Sequence, residues 1–131
     1  MKTLVVEDDY ITAEVMHEIM LSFGECDVAE NGKIALDKFG QALDVDDPYD
    51  IIFLDIMMPE MDGQTVLGKI REMEHDKGIR GLEGVKIVMT TALDDFDNIK
   101  RAFKHQAEGY IIKPIDKDKV IKTLIDLELL V

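Results

Sequence analysis

The sequence predicts one α/β domain in which five parallel strands alternate with five helices. Three observations carry that prediction. Short apolar runs without polar alternation, Leu4 to Val6, Ile51 to Leu54 and Val85 to Met89, suit strands buried on both faces. Stretches with helical spacing of apolar residues separate them, and no repeat or linker breaks the alternation. Strict alternation of strand and helix implies right-handed crossovers with helices on both faces of the sheet. With the apolar strands central and a weaker strand at the edge, 2-1-3-4-5 is the simplest order. A chain of 131 residues forms a natural single domain, 1–131, and buries roughly two thirds of its unfolded surface.

Each element has its own signal. The first strand runs straight into Glu7-Asp8-Asp9. From about Asp9 to Phe23, Ile11, Val15 and Ile19 recur at helical spacing, with Met16, Met20 and Phe23 on an adjoining stripe, which predicts a helix with a wide buried face. Cys26 to Ala29 reads as a short edge strand, Asn31-Gly32 as a turn, and Ile34 to Leu43 as a helix with Ala35, Leu36, Phe39 and Leu43 inward. Asp44 to Asp50 reads as a solvated connector. The central strand, Ile51 to Leu54, ends at Asp55; Pro59 stops regular structure, and Asp62-Gly63 turns into a helix over Gln64 to Glu74. Three glycines mark residues 75–84 as a loop. The fourth strand ends in Thr90-Thr91-Ala92. A helix from about Asp94 to His105 has an acidic start and a basic end, matching its dipole, with Phe96, Ile99 and Phe103 inward. Tyr110 to Ile112 forms the last strand before Lys113-Pro114, and a final helix spans about Asp116 to Leu130. That helix has two apolar stripes: Val120, Leu124, Leu127 and Val131 toward the sheet, and Ile121 with Ile125 about 100° away. The second stripe either packs on the first helix or is exposed beside Tyr110, ringed by Lys100, Lys104 and Lys122.

The composition excludes several classes. The net charge of −13 argues against nucleic-acid binding, which depends on lysine and arginine neutralising phosphates. No apolar run approaches the roughly 20 residues that cross a bilayer, and the N-terminus is too short in apolar residues for a signal peptide, so a cytoplasmic protein without membrane insertion is expected. The one cysteine, Cys26, has no intramolecular partner for a disulfide.

Parallel strands finish at one edge, so the residues after strands one, three, four and five converge there: Glu7, Asp8, Asp55, Thr91 and Lys113. Alone, Asp55 is as readily a solvated strand-end acid, Lys113 a surface lysine and Thr91 a helix cap. Together they have a chemistry. Crowded carboxylates raise each other's pKa, and a hard divalent ion such as Mg²⁺ resolves that conflict through oxygen ligands. A metal-bridged carboxylate can then act as a nucleophile toward a phosphoryl group, with Lys113 balancing phosphoryl charge and the Thr91 hydroxyl donating to a phosphate oxygen.

These residues carry a resemblance. The chain resembles a bacterial two-component response-regulator receiver domain, of the stand-alone, chemotaxis-regulator-like kind, over nearly its whole length. Glu7-Asp8 is similar to that family's acidic pair, Asp55 to its phospho-accepting aspartate, Thr91 to its switch hydroxyl, Tyr110 to its switch aromatic and Lys113 to its lysine. Met-Pro-Glu-Met-Asp-Gly after Ile56-Met57 and Lys113-Pro114 are the specific signatures. The resemblance implies a flavodoxin-like fold and Mg²⁺ (or Mn²⁺) bound through Asp8, Asp55 and the Met57 carbonyl, with Glu7 acting through water. It implies phosphoryl transfer from a sensor histidine kinase and a movement of Thr91 and Tyr110 that reshapes the face of the fourth helix, fifth strand and fifth helix. Met57 and Leu93 would flank the path of an attacking water. Both are apolar, so slow self-dephosphorylation is expected. Glu in place of Asp as the first acid, and long loops at 41–50 and 75–84, depart from the family pattern without touching the chemistry.

No output domain is expected after the last helix, so the signal would leave through a downstream protein or a phosphorylation-dependent homodimer. The chain would be no enzyme beyond catalysing its own phosphorylation and dephosphorylation. A phosphorelay intermediate, passing the phosphoryl group on to a histidine phosphotransfer protein, would use the same chemistry. A phosphatase of the haloacid-dehalogenase class would need a second Asp two residues after the nucleophile, where this chain has Met57. A docking domain independent of phosphorylation would leave the gathered groups unexplained.

Overall fold

A computed structural model describes residues 1–91 and 96–130, apart from the side chains of Leu82 and Phe96. The element order is β1 (Thr3–Val6), α1 (Tyr10–Leu21), β2 (Cys26–Ala29), α2 (Gly32–Asp44), β3 (Ile51–Asp55), α3 (Gly63–Asp76), a 3₁₀ turn (Gly81–Glu83), β4 (Lys86–Thr91), α4 (Phe96–Lys104), β5 (Gly109–Ile112) and α5 (Lys117–Asp126). All pairings are parallel and the strand order is β2-β1-β3-β4-β5, as the alternation predicted.

The central strands have no solvent face, and successive side chains feed two different cores. Leu4, Val6, Ile52, Leu54, Ile87 and Met89 meet α2, α3 and Ala102 of α4. Val5, Phe53 and Val88 meet Met16 and Met20 of α1 and Val120 and Leu124 of α5. This is the period of two expected of a strand, read out on both sides of the sheet. Among the described residues no helix is long and apolar enough to cross a membrane.

Helix boundaries follow their caps. Asp9, Asn31, Asp62 and Asp116 each accept a hydrogen bond from the backbone N–H three residues on, which satisfies a donor that the helix itself leaves open. Asn31 thereby starts α2 at Gly32, earlier than Ile34, and α3 absorbs His75 and Asp76 from the expected loop. Helix α5 ends sooner than expected: Glu128 takes a positive φ, and Leu129 and Leu130 turn back to donate to the Leu124 carbonyl while packing on the core. The 44–50 connector is mostly exposed, but Tyr49 is buried and donates to Asp27.

Two expectations about helix faces need correction, in α1 and α4, and α5 narrows one that the sequence leaves open. In α1 the buried residues are Ala13, Met16 and Met20, whereas Ile11 (68% exposed) and Val15 (41%) face outward. The helix is apolar on most sides, so spacing alone permits two solutions, and the three-residue link from β1 with its Asp9 cap turns the methionine stripe onto the sheet. In α4, Ile99 and Ala102 are buried but Phe103 is 45% exposed. Phe103 lies roughly 40° round the helix from Ile99, over the edge strand β5, and meets Tyr110 edge-on with ring centroids 6.3 Å apart. In α5, Val120 and Leu124 are buried as expected, but Ile121 is half-buried and Ile125 is 47% exposed, and neither joins the core. The acidic start of the fourth helix at Asp94-Asp95, Ala92, Leu93, Val131 and the Phe96 side chain lie outside the described residues.

The turn after β3 is welded to the strand. Gly63 donates its N–H to the Ile56 carbonyl, and a Cβ built at Gly63 would strike the Asp55 carbonyl and the Ile56 Cα. Gly63→Ala is therefore expected to lose about 1–3 kcal/mol of stability through overpacking, measured by urea unfolding. Unchanged stability would show that this turn tolerates movement.

Candidate functional site

The parallel register brings strand ends to one edge. Val6 pairs with Leu54, Asp55 with Thr90 and Thr91 with Ile112, so the next residues, Glu7, Asp55 and Lys113, arrive at the same level. Glu7 follows β1 and is held by donating its N–H to the Ala29 carbonyl of β2. Asp55 is 3% exposed, and its Oδ1 accepts from the Met57 N–H at 3.2 Å. Lys113 donates its own N–H to the Thr91 carbonyl, and a cis peptide bond joins it to Pro114.

Ligand oxygens of Glu7, Asp8 and Asp55 all lie within 4.8 Å of one another. Glu7 and Asp55 are buried and Asp8 is exposed at the mouth. The Lys113 ammonium stands 2.6 Å from Glu7 Oε1 and 3.5 Å from Asp55 Oδ2. One cation thus serves two buried carboxylates. Burial, a shared hydrogen bond with Glu7 and the charge of Glu7 push the Asp55 carboxyl up to about 8, against the pull of Lys113 and the Met57 N–H. Burial alone would lower the Lys113 ammonium, but the hydrogen bond to Glu7 and the charge of Asp55 outweigh it and hold its pKa above the ordinary lysine value.

Of the residues singled out from sequence, the structure gathers Glu7, Asp8, Asp55 and Lys113. Thr91 is buried as the last residue of β4 on the same edge. Met57 is exposed at the rim, its peptide folded onto Asp55, while Leu93 is not among the described residues. Tyr110 stands apart, exposed on β5 against Phe103. Asp9, third in the acidic run, is spent as the α1 cap and donates its backbone N–H to Glu7 Oε2. Sequence reasoning passed over Gln64, buried at the start of α3, whose only signal is a polar residue beside the Asp62 cap.

The comparisons agree with the geometry. Residues 3–125 match the model of the response regulator receiver domain family. This chain belongs to that family. It is 32% identical over 125 residues to the chemotaxis protein CheY of Treponema pallidum, covering 94% of this chain and 79% of that protein. To the CheY of Halobacterium salinarum it is 31% identical, covering 96% and 95%. It is also 37% identical over 120 residues to a hybrid signal transduction histidine kinase L of Dictyostelium discoideum, covering 91% of this chain but spanning only 7% of that protein's length. Among solved structures, Vibrio cholerae CheY4 superposes with a TM-score of 0.81 at 24% identity, covering 96% of this chain and 97% of that one. That likeness speaks for the flavodoxin-like fold. The chain is a receiver domain of two-component signalling, a signalling module that receives a phosphoryl group and is not an enzyme in the ordinary sense. Receiver domains bind Mg²⁺ at an acidic pocket and interact with histidine kinases.

The raised Asp55 pKa has a consequence for stability. A carboxyl that binds its proton more tightly when folded contributes stability that is complete below the ordinary value of 3.8 and is lost as pH rises through about 8. In EDTA this term therefore falls between about pH 4 and pH 8. A divalent ion favours the ionised form, so its stabilisation grows over the same range and reaches about 2.7 kcal/mol at a hundred times Kd. Thermal melts with and without Mg²⁺ are expected to diverge as pH rises, and Asp8→Ala to close most of the gap. A Mg²⁺ effect equal at about pH 5 and about pH 8 would contradict the assignment.

Proposed function

We propose that Asp55 is the phosphoacceptor of this receiver domain, taking its phosphoryl group from a phosphohistidine of a sensor histidine kinase in the cytoplasm. The observation that carries this reading is the meeting of Glu7, Asp8 and Asp55 within 4.8 Å, with the Lys113 ammonium against two of them. The donor set fits Mg²⁺ or Mn²⁺, held by Asp8, Asp55 and the Met57 carbonyl with Glu7 acting through water. Such an ion would neutralise charge on the phosphoryl oxygens and hold Asp55 ionised.

An Asp55 oxygen attacks phosphorus, the N–P bond of the donor breaks, and an acyl phosphate forms on the carboxylate. Lys113 is placed to trade its contact with Asp55 for one with a phosphoryl oxygen, and the Thr91 hydroxyl to donate to another. Met57 at the rim offers no amide or acid to orient a water, so the acyl phosphate should be long-lived.

Two faces serve the traffic. The exposed Ile11 and Val15 of α1 lie on the helix that follows Glu7-Asp8, an apolar landing place beside the acceptor for the donor protein. Thr91 and Tyr110 act as the switch, and Phe103, Tyr110, Ile121 and Ile125 with Lys100, Lys104 and Lys122 form the surface through which a downstream protein or a second copy is engaged. A net charge of −13 keeps nucleic acid out of this account.

Incubation with acetyl phosphate and Mg²⁺ should add one phosphoryl group by intact mass, abolished by EDTA and in Asp55→Asn. Labelling of Asp55→Asn at the wild-type rate would overturn the reading.

A further inference from the structure

The lysine that meets Glu7 and Asp55 springs from the turn between β5 and α5. β5 is an edge strand, with β4 on one side only. The N–H and the C=O of one trans peptide point in opposite directions. Because the Lys113 N–H points inward to the Thr91 carbonyl of β4, the Ile112 carbonyl of the same peptide faces the open edge. It accepts there from the Lys119 ammonium at 3.1 Å, and the same ammonium reaches the Pro114 carbonyl at 2.8 Å. Lys119 thus grips the chain on both sides of Lys113.

The residue that makes this strap is fixed where it starts. Lys119 lies in the first turn of α5, donates its backbone N–H to the Asp116 cap at 2.8 Å and accepts from the Thr123 hydroxyl at 2.9 Å through its carbonyl. Its neighbour Val120 is fully buried in the core between α1, α5 and the sheet. Bonds from an ammonium to carbonyls are charge-assisted and stronger than neutral ones. The turn therefore has a firm anchor on α5 and a charged donor reaching back over it.

The consequence lies at the far end of Lys113. Its ammonium stands 2.6 Å from Glu7 and 3.5 Å from Asp55 on a flexible stem, so the places it can reach are set by where its backbone is held. We propose that Lys119 is a positioning residue for phosphoryl transfer, a strap across the β5–α5 turn that fixes the backbone from which Lys113 reaches a phosphoryl oxygen. This rests on the phosphoacceptor reading above.

The test compares initial rates of labelling by acetyl phosphate in saturating Mg²⁺ for wild type, Lys119→Met, Lys119→Arg and Lys117→Met, each well below its thermal midpoint so that all the protein is folded. Lys119→Met keeps the apolar stem without the donor. The strap is exposed, and Glu7 and Asp55 still hold the Lys113 ammonium, so the expected slowing is about fivefold rather than the roughly hundredfold that a full ~1 Å displacement can cost. Lys119→Arg, whose guanidinium can serve both carbonyls, is expected to recover most of the rate. Lys117→Met removes the same charge from the same turn of α5 and is expected to label like wild type. Mg²⁺ affinity should stay unchanged throughout, because no variant touches Asp8, Asp55 or the Met57 carbonyl. A wild-type rate in Lys119→Met would overturn the proposal even with a lowered melting temperature, since the strap would then only hold the turn together. Equal slowing by Lys117→Met would overturn it too, by showing an effect of charge alone. A wild-type chain that takes no label removes the phosphoacceptor reading and this proposal together, whereas a labelled wild type beside an unslowed Lys119→Met removes this proposal alone.

Discussion

Two buried carboxylates that share one ammonium set the terms for the rest of this molecule. Glu7 and Asp55 stand against Lys113, with Asp8 at the mouth, and burial together with the neighbouring Glu7 holds the Asp55 carboxyl back from ionising. The arrangement costs stability, and the fold sustains it because all three groups are fixed by backbone: Glu7 by β2, Asp55 by the Met57 peptide, Lys113 by Thr91. Parallel pairing supplies that rigidity. Strands that end at one level leave their following residues no freedom to spread apart.

The two helical layers divide the work. α1 and α5 pack on one face of the sheet through Met16, Met20, Val120 and Leu124, a small set that leaves Ile11, Val15, Ile121 and Ile125 toward solvent. α2 and α3 are bound on the opposite face by Phe39, Val66, Leu67 and Ile70. α4 shares that face, and among its described residues Ala102 joins the cluster there. The Arg71–Glu74–Glu108 network ties the segment that follows its C-terminal end. Buried charge of this kind is expensive to break because each partner left alone is desolvated and unpaired. The helix nearest the edge strand is thus anchored at its C-terminal end by charge.

Much of this was legible from residue order. The strands were readable because Leu4 to Val6, Ile51 to Leu54 and Val85 to Met89 are buried on both sides and so show no alternation. Convergence of Glu7, Asp8, Asp55 and Lys113 followed from topology, since each lies at the end of a strand or within two residues of it. Helix orientation was less accessible. Tyr10 to Leu21 is apolar nearly all round, and choosing between its stripes needs the geometry of the β1–α1 link. Phe103 was misplaced because an edge strand gives its neighbours less cover than a central one. The Arg71 network joins residues 3 to 37 positions apart, and Arg71, Glu74 and Glu108 each look like ordinary surface charges in isolation. Gln64 gives no periodic signal at all.

If the acids are in conflict, removing one charge should relieve it. The thermal midpoints of wild type and Asp55→Asn at about pH 8, each with and without Mg²⁺, measure this directly. The account predicts that Asp55→Asn is more stable than wild type in EDTA and gains little from Mg²⁺, while wild type gains strongly. An Asp55→Asn chain less stable than wild type in EDTA, or one stabilised by Mg²⁺ to the same extent, would contradict it.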